Sequence, residues 1–246
     1  MKKTILVFVI FLSSIPVLAQ KIDTLKVGYE FPNFSKLQPN TVQELLIMEI
    51  NGKTQLTRVK TKTIAFKTVN GKSYLQFNHT WMEPKAKNAS SFRYLCELKT
   101  LKPFTHIRNT PSKGQEAFIF HETAIKSIAT DTNYANRDFH LDLSEQVYNS
   151  EIDLETFSLL PIKKGYKVAM PFYHPGGKAP TFYLLEVKKK TNLRMPDGTK
   201  VRCWLLYTDY GGKQPSYFWY TKKGHQFLKM EASYGPMKIK KLRLIQ

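Results

Sequence analysis

The pattern of hydrophobic and polar positions predicts β-strands along most of the chain, and the pattern differs between the two halves. Residues 53–69 alternate, with Arg58, Lys60 and Lys62 on one face of a strand and three threonines and a valine on the other. This alternation is typical of a sheet with one solvent-exposed face. Residues 181–187 and 201–208 are instead apolar on both faces. Strands of the second kind need a cover on each side, made of protein or of a bound ligand.

The clearest single element is a hairpin at residues 216–231, where two aromatic runs flank Lys222-Lys223-Gly224. A glycine at the end of such a loop supplies the left-handed conformation that the turn needs. This loop predicts that Trp219 lies opposite Phe227 and that Phe218 lies opposite Leu228. Both faces of the hairpin would then be aromatic, one with Phe218, Tyr220, Leu228 and Met230 and the other with Tyr217, Trp219 and Phe227.

Turn signals separate the predicted strands at fairly even intervals, as in an antiparallel meander. Asn51-Gly52 and Asn70-Gly71 are two-residue hairpin signals. Pro175-Gly176-Gly177 and Pro196-Asp197-Gly198 mark two later turns.

Residues 143–160 form the one good helix candidate, because Leu154, Phe157 and Leu160 fall on one helical stripe. Two starts are open: Ser144 can cap the helix, or Ser150 can cap a shorter helix that has Asp153 at its third position. Pro161 ends the helix in either case.

The first residues have the pattern of an export signal. A basic start at Lys2-Lys3 precedes an apolar run and small side chains, so we expect residues 1–19 to be a signal peptide that is cleaved after Ala19. The remaining residues, 20–246, are expected to form one β domain in the periplasm or outside the cell. An oxidising compartment would permit a disulfide between Cys96 and Cys203, and an ordinary core role for Cys203 is the alternative.

The charge is strongly basic. Two of the 38 basic residues precede position 20, so cleavage would leave a net charge of +17. In an exported protein this charge favours anionic lipid headgroups or surface polyanions over nucleic acid. Lysines that only solvate outer strand faces are the alternative explanation.

No catalytic, phosphate-binding or metal-binding motif is present in the sequence. We therefore predict neither a cofactor nor a metal site, and we expect a protein that is not an enzyme. A catalytic group assembled from distant residues stays open, because such residues need to meet only in space.

Several segments resemble a known family. They are residues 159–166, Tyr173-His174-Pro175-Gly176, Cys203-Trp204, residues 218–222 and residues 227–231. These are similar to exported bacterial proteins of unknown function with a lipoprotein-carrier-like (LolA/LolB-type) fold. The resemblance implies a mainly β (α+β) fold, in which a large curved antiparallel sheet forms an incomplete barrel and one or two helices cover its concave face.

A curved sheet too wide to be filled by its own side chains leaves room for a ligand. We therefore predict a monomeric, non-enzymatic binding protein that holds an acyl chain or another lipid in an apolar cavity, with Tyr183, Trp204, Trp219 and Phe227 as the wall. The alternative is a basic surface protein that binds anionic polysaccharide or an anionic membrane through residues 188–190 and 238–243.

Overall fold

A computed structural model of the chain describes residues 22–82, 89–128, 134–212 and 214–244. The predicted signal peptide and its cleavage site lie outside the described residues. The strands run as follows: β1 Asp23–Thr24, β2 Asn40–Ile50, β3 Lys53–Val69, β4 Lys72–Met82, β5 Ser90–Glu97, β6 Pro103–Thr110, β7 Gly114–Phe120, β8 Ala124–Ser127, β9 His140–Asp142, β10 Tyr148–Asn149, β11 Lys167–Tyr173, β12 Thr181–Arg194, β13 Lys200–Thr208, β14 Ser216–Thr221, β15 Phe227–Tyr234 and β16 Met237–Leu244. The helical segments are two 3₁₀ turns, Phe34–Lys36 and Ser150–Ile152, and one α-helix, α1 Asp153–Leu159.

All the described strands belong to one sheet of 16 strands, ordered β1-β11-β12-β13-β14-β15-β16-β2-β3-β4-β5-β6-β7-β8-β9, with β10 also paired to β11. Neighbours are antiparallel except for β1 and β10, which lie parallel to β11. The protein is therefore mainly β, as predicted, with one large and open sheet.

The two ends of the sheet lie close to each other. Only residues 143–147 connect β9 at one end to β10 at the other. Across the gap, Arg108 Nη1 donates a hydrogen bond to the carbonyl oxygen of Pro175 at 3.0 Å, and the rings of Phe120 and Tyr173 are 6.4 Å apart. The sheet is thus rolled into an incomplete barrel whose open seam is packed with side chains.

The two Asn-Gly hairpins form as predicted. Asn51 and Gly52, which join β2 to β3, have φ values of 50° and 76°, and Asn70 and Gly71, which join β3 to β4, have 49° and 76°. Two successive residues with positive φ are what a type I′ turn requires, and asparagine followed by glycine adopts them at low cost.

The predicted pairing of the last aromatic hairpin is wrong. Tyr220, not Trp219, lies opposite Phe227, and Phe218 lies opposite Met230 rather than Leu228. The cause is a longer loop, in which Thr221 and Gln226 form the closing pair and His225 also takes a positive φ of 53°. The register shift that follows turns Phe227 into the main core and places Leu228 in an outer cluster with Cys203.

The strands of the C-terminal half, which are apolar on both faces, are covered by other side chains on both faces. The inner face packs on α1, where Phe157 lies edge-on to Phe172 and Phe218 at 6.0 and 5.6 Å. On the outer side the ammonium groups of Lys188 and Lys229 lie over the rings of Tyr207 and Trp219, at 4.9 and 5.1 Å. Lysine stems therefore shield outer aromatic rings that the sequence pattern alone left without a cover.

The charged face of β3 points inward, contrary to our expectation of a solvent-exposed face. Lys60 and Lys62 are only 4% and 3% exposed. Lys62 forms ion pairs with Glu44 on β2 and with Glu155 on α1, whereas Lys60 lies over the ring of Trp81 on β4. Alternation along one strand cannot reveal such partners, because they come from distant parts of the chain.

The helix is the shorter of the two predicted versions. Residues 143–149 are not helical, because Tyr148 and Asn149 pair with β11. Asn149, rather than a serine, caps the 3₁₀ turn by accepting a hydrogen bond from Glu151 N at 3.0 Å. Every residue of α1 except Ser158 is buried, so this helix fills the interior of the barrel.

Cys96 and Cys203 are buried and free, so the disulfide that the sequence permits does not form. They belong to different clusters, Cys96 to the main core and Cys203 to the outer cluster. Within the described part of the chain, no helix has the length and hydropathy of a membrane-spanning segment.

Candidate functional site

A cavity of about 520 Å³ lies inside the barrel beside the first turn of α1. Its walls come from β2, β3, β4, β12, β15 and β16, and its lining includes Leu46, Lys60, Trp81, Ser150, Glu151, Asp153, Leu154, His174, Tyr183, Tyr210, Met230, Ile239 and Lys241. Cavities of about 300–1,000 Å³ are typical of sites for small molecules.

The apolar part of the wall combines four elements. Leu46 comes from β2, Leu154 from α1, Met230 from β15 and Ile239 from β16. These strands are neighbours in the sheet, so alternate inward positions on each strand form a continuous apolar surface that faces the helix.

Aromatic residues form the opposite side of the cavity. Tyr183 stacks on Phe172 at 4.7 Å and lies edge-on to Tyr210 at the same distance. The Tyr210 hydroxyl donates a hydrogen bond to Asp153 Oδ2 at 2.7 Å. Burial, and then the nearby Asp153 carboxylate, raise the pKa of Tyr210 well above its ordinary value. This phenol therefore stays protonated and serves as a fixed donor.

A histidine connects two other lining residues. The Ser150 hydroxyl and His174 Nδ1 are 2.9 Å apart, and His174 Nε2 is hydrogen-bonded to the Tyr183 hydroxyl. Burial raises the pKa of Tyr183, so this phenol is neutral. A hydrolase of the Ser-His-Asp type has a carboxylate in that position, which stabilises the imidazolium. The arrangement here lacks the anionic partner.

A buried ion-pair network lies next to the cavity. Lys62 Nζ contacts Glu44 Oε1 at 2.7 Å and also pairs with Glu155 of α1. Burial alone would raise the pKa of Glu44, but Lys62 and Lys60 outweigh burial and lower it to about 2. Burial would likewise lower the pKa of Lys62, yet Glu155 and Glu44 raise it. Glu44 and Lys62 are therefore both charged, and the contact of Lys62 with Glu155 ties α1 to the β2–β3 wall.

Lys60 is different, because its ammonium group has no hydrogen-bond or ion-pair partner among the described residues. It lies over the ring of Trp81, 5.0 Å from the ring centre, and faces the cavity. Burial lowers the pKa of Lys60; Glu44 and Glu151 oppose this shift, whereas Lys62 and Lys241 add to it. Lys241 lines the same cavity from β16.

A second group of buried polar side chains continues this inner face across β4 to β6. His79 and Tyr94 are 4.8 Å apart, and Tyr94 and His106 are 4.6 Å apart, between ring centres. Among the described residues, both nitrogens of His79, the Tyr94 hydroxyl and His106 Nε2 have no hydrogen-bond partner. Burial lowers the pKa of both histidines well below the usual value, so both are neutral at pH 7.

The four aromatic residues predicted from the sequence do not lie together. Tyr183 lines the cavity, whereas Phe227 lines a smaller cavity of about 80 Å³ beyond the Glu44–Lys62 pair. Trp204 belongs to the main core, with Lys190 over its ring at 5.1 Å, and Trp219 packs on the outer cluster. The structure therefore places one of the four residues at the larger cavity.

Sequence reasoning missed Lys60, Trp81 and Lys241 as lining residues. The available signal was the shared face of Lys60 and Lys62 in residues 53–69, which we interpreted as solvent-exposed. An acidic residue in register on the next strand, Glu44 opposite Lys60, was the clue that this face could be internal.

Comparisons with known proteins agree with the fold. Residues 48–241 match the family described as "Protein of unknown function (DUF3108)". The structure is similar to the crystal structure of a β-barrel-like protein of the domain of unknown function DUF1849 from Brucella abortus, with a TM-score of 0.51, 12% identity, and coverage of 85% of this chain and 96% of that chain. Both matches confirm the resemblance to proteins of unknown function with a barrel-like fold. Because the Brucella abortus protein is only 12% identical, its similarity concerns the fold alone.

Two other solved structures have a TM-score of 0.33 and 10% identity: the hypothetical lipoprotein YmcC from Escherichia coli, and a protein with a YmcC-like fold from Bacteroides fragilis. The match covers 82% of this chain and 86% of the first, and 90% of this chain and 96% of the second. Scores at this level carry no argument about function. No curated protein matches the sequence.

Proposed function

The chain belongs to the DUF3108 family of proteins of unknown function, and we propose that it is a non-enzymatic binding protein that holds a lipophilic molecule in the cavity beside α1. The observation that carries the proposal is the cavity of about 520 Å³, with Leu46, Leu154, Met230 and Ile239 on its wall. A cavity with this apolar wall favours a chain-like ligand that displaces water from it.

The energetics favour a single chain with a polar end. Each buried methylene adds ~0.8 kcal/mol, so roughly ten methylenes contribute about 8 kcal/mol. Association itself costs about 4–15 kcal/mol. Chain burial alone therefore gives weak binding, and contacts of the polar end raise the affinity.

Binding is favoured over catalysis by the state of the groups at the cavity. The Asp153 carboxylate accepts a hydrogen bond from Tyr210, and His174 has a serine and a neutral tyrosine as its partners. These contacts hold the polar groups in place, and the third group of the Ser150–His174–Tyr183 chain is a neutral phenol rather than the carboxylate of a Ser-His-Asp site.

The proposal extends to location and partners. The pattern of residues 1–19 supports export to the periplasm or beyond, and we propose that the exported protein is a monomer. The net charge of +17 after removal of these residues favours approach to an anionic membrane. The alternative surface-binding function receives less support, because Lys188 and Lys240 are paired with Glu186 and Glu49, and Lys241 lines the cavity.

Native mass spectrometry of protein purified without detergent tests the proposal. We expect a fraction of the protein to carry an added mass that organic extraction removes and that identifies a lipid or another lipophile. A single unliganded mass in several independent preparations would contradict the proposal.

A further inference from the structure

The cavity that we propose as the binding site contains a lysine, Lys60, whose ammonium group makes no hydrogen bond or ion pair with the described residues. Lys60 is 4% exposed and faces the cavity from β3. Two residues further along the strand, Lys62 has two carboxylate partners, whereas Lys60 has none within hydrogen-bond or ion-pair distance among the described residues. Burying an ammonium group without a hydrogen-bond acceptor is costly, so a ligand that supplies an acceptor in this cavity would be favoured.

The surroundings of Lys60 favour an anion as this partner. Lys241 lines the same cavity from β16, where it pairs in register with Leu46 of β2. Two acidic groups also line the cavity: Asp153 is held by the Tyr210 hydroxyl, and Glu151 lies on the 3₁₀ turn. Glu44, the acidic residue opposite Lys60 in register, is bound to Lys62.

The aromatic ring beside Lys60 positions this cation. Trp81 of β4 lies opposite Lys60 in register, and its ring centre is 5.0 Å from the ammonium nitrogen. A cation–π contact of this kind holds the charge in place but leaves its hydrogen-bond donors free.

We propose that the ligand of this cavity is an amphiphile with an anionic head, a carboxylate or a phosphate, that binds to Lys60 and Lys241 while its chain lies on Leu46, Met230 and Ile239. This inference rests on the proposed function, and it adds the chemical class of the ligand. The carboxylate of a fatty acid and the phosphate of a lipid share the chemistry that two ammonium groups recognise.

Isothermal titration calorimetry with decanoate, decyl phosphate and decanol tests the inference, because the three probes have the same chain and differ in the head. Charge-assisted hydrogen bonds contribute enough that we expect at least one anionic probe to bind about tenfold or more tightly than decanol. Whichever of decanoate and decyl phosphate binds more tightly shows whether the head group is a carboxylate or a phosphate.

The variant Lys60→Met keeps the length of the side chain and removes its charge. We expect it to lose the preference for the anionic probe over decanol. Lys241→Met is the second variant, and it should reduce the same preference. Lys240→Met is the matched control: Lys240 neighbours Lys241 and is paired with Glu49, so its loss should leave the preference unchanged.

The outcomes separate the inference from the proposed function. If decanol and both anionic probes bind equally well, or if Lys60→Met keeps the preference for the anionic probe, the inference of an anionic head group is wrong. The proposed binding of a lipophile in the cavity then still stands. No binding of any of the three probes overturns the proposed function, and the inference with it.

Discussion

Lys60 and Lys62 are two positions apart on β3 and share one face of the strand, yet their environments differ. Lys62 is held between Glu44 and Glu155, whereas the Lys60 ammonium contacts the Trp81 ring and faces the cavity. The first lysine connects the helix to the sheet, so it stabilises the fold. The second is a charge that the folded protein buries without a protein partner, so its cost points to a role in binding.

This contrast predicts that replacement of each lysine by methionine has a different effect on the free energy of unfolding. Lys62→Met leaves Glu44 and Glu155 buried and unpaired, so we expect it to lower the free energy of unfolding by about 3–5 kcal/mol. Lys60→Met removes an unpaired buried charge and should leave stability unchanged or raise it. Urea unfolding at pH 7 measures both. Equal losses in the two variants would show that Lys60 has a structural partner.

The buried histidines predict a loss of stability in mild acid. Burial lowers the pKa of His79 and His106 well below 6.5 in the folded protein, so below pH 6.5 the unfolded chain binds more protons than the folded one. The contribution of the two neutral histidines to the free energy of unfolding is fully present above pH 6.5. It falls with decreasing pH by about 1.4 kcal/mol per pH unit for each histidine.

Urea unfolding between pH 8 and pH 5 checks this slope. His79→Phe should make the decline with falling pH shallower, whereas His121→Phe, at an exposed position, should not change it. An identical pH dependence in the His79 variant and the unmodified protein would contradict the lowered pKa, because His79 would then bind protons equally well in the folded and unfolded states.

At the scale of the element, α1 depends on its surroundings. A helix of seven residues is too short to be stable alone, so packing and the ion pair from Glu155 must hold it. The Tyr220 hydroxyl also donates a hydrogen bond to the carbonyl oxygen of Leu154, at 2.9 Å. The sequence stripe therefore located the helix, but its start was decided by the pairing of Tyr148 and Asn149 with β11.

Phe157→Ala tests the packing of α1. Phe157 is fully buried between Phe172 and Phe218, so its truncation should cost about 3–5 kcal/mol. Native-state hydrogen exchange of the amides in α1 should increase as well. Phe66→Ala is the matched control, because Phe66 is 52% exposed, and we expect a change within about 0.5 kcal/mol. Similar losses in both variants would contradict a packed interior helix.

The hairpins show how far local sequence determines structure. Asn51-Gly52 and Asn70-Gly71 carry their own turn geometry, so their position and type were predictable. The loop after Thr221 was not, because a side-chain hydrogen bond from Gln226 N to Thr221 Oγ1 and the positive φ of His225 lengthen it. A shift of the strand register by one residue then placed Phe227 and Leu228 on the faces opposite to those predicted.

At the scale of the whole molecule, the sheet rolls until residues 143–147 bridge its two ends. The strand content and the curved open sheet were predictable from the turns and the resemblance. The composition of the interior was not, because the inward charge of Lys62 is compensated by Glu44 on β2 and Glu155 on the helix. The polar cavity wall thus depends on contacts between distant segments, and apolar patterning led instead to Trp204 and Trp219, which pack elsewhere.

Ligand binding by a variant with a filled cavity shows whether the ligand lies beside α1. Leu46 lines the cavity, and its neighbour Ile47 points to the opposite face of β2. Leu46→Trp should abolish the binding of decanoate in calorimetry while the thermal unfolding transition is retained, and Ile47→Trp should bind as the unmodified protein does. Unchanged binding by a folded Leu46→Trp variant would contradict the account, because the ligand would then lie outside the cavity.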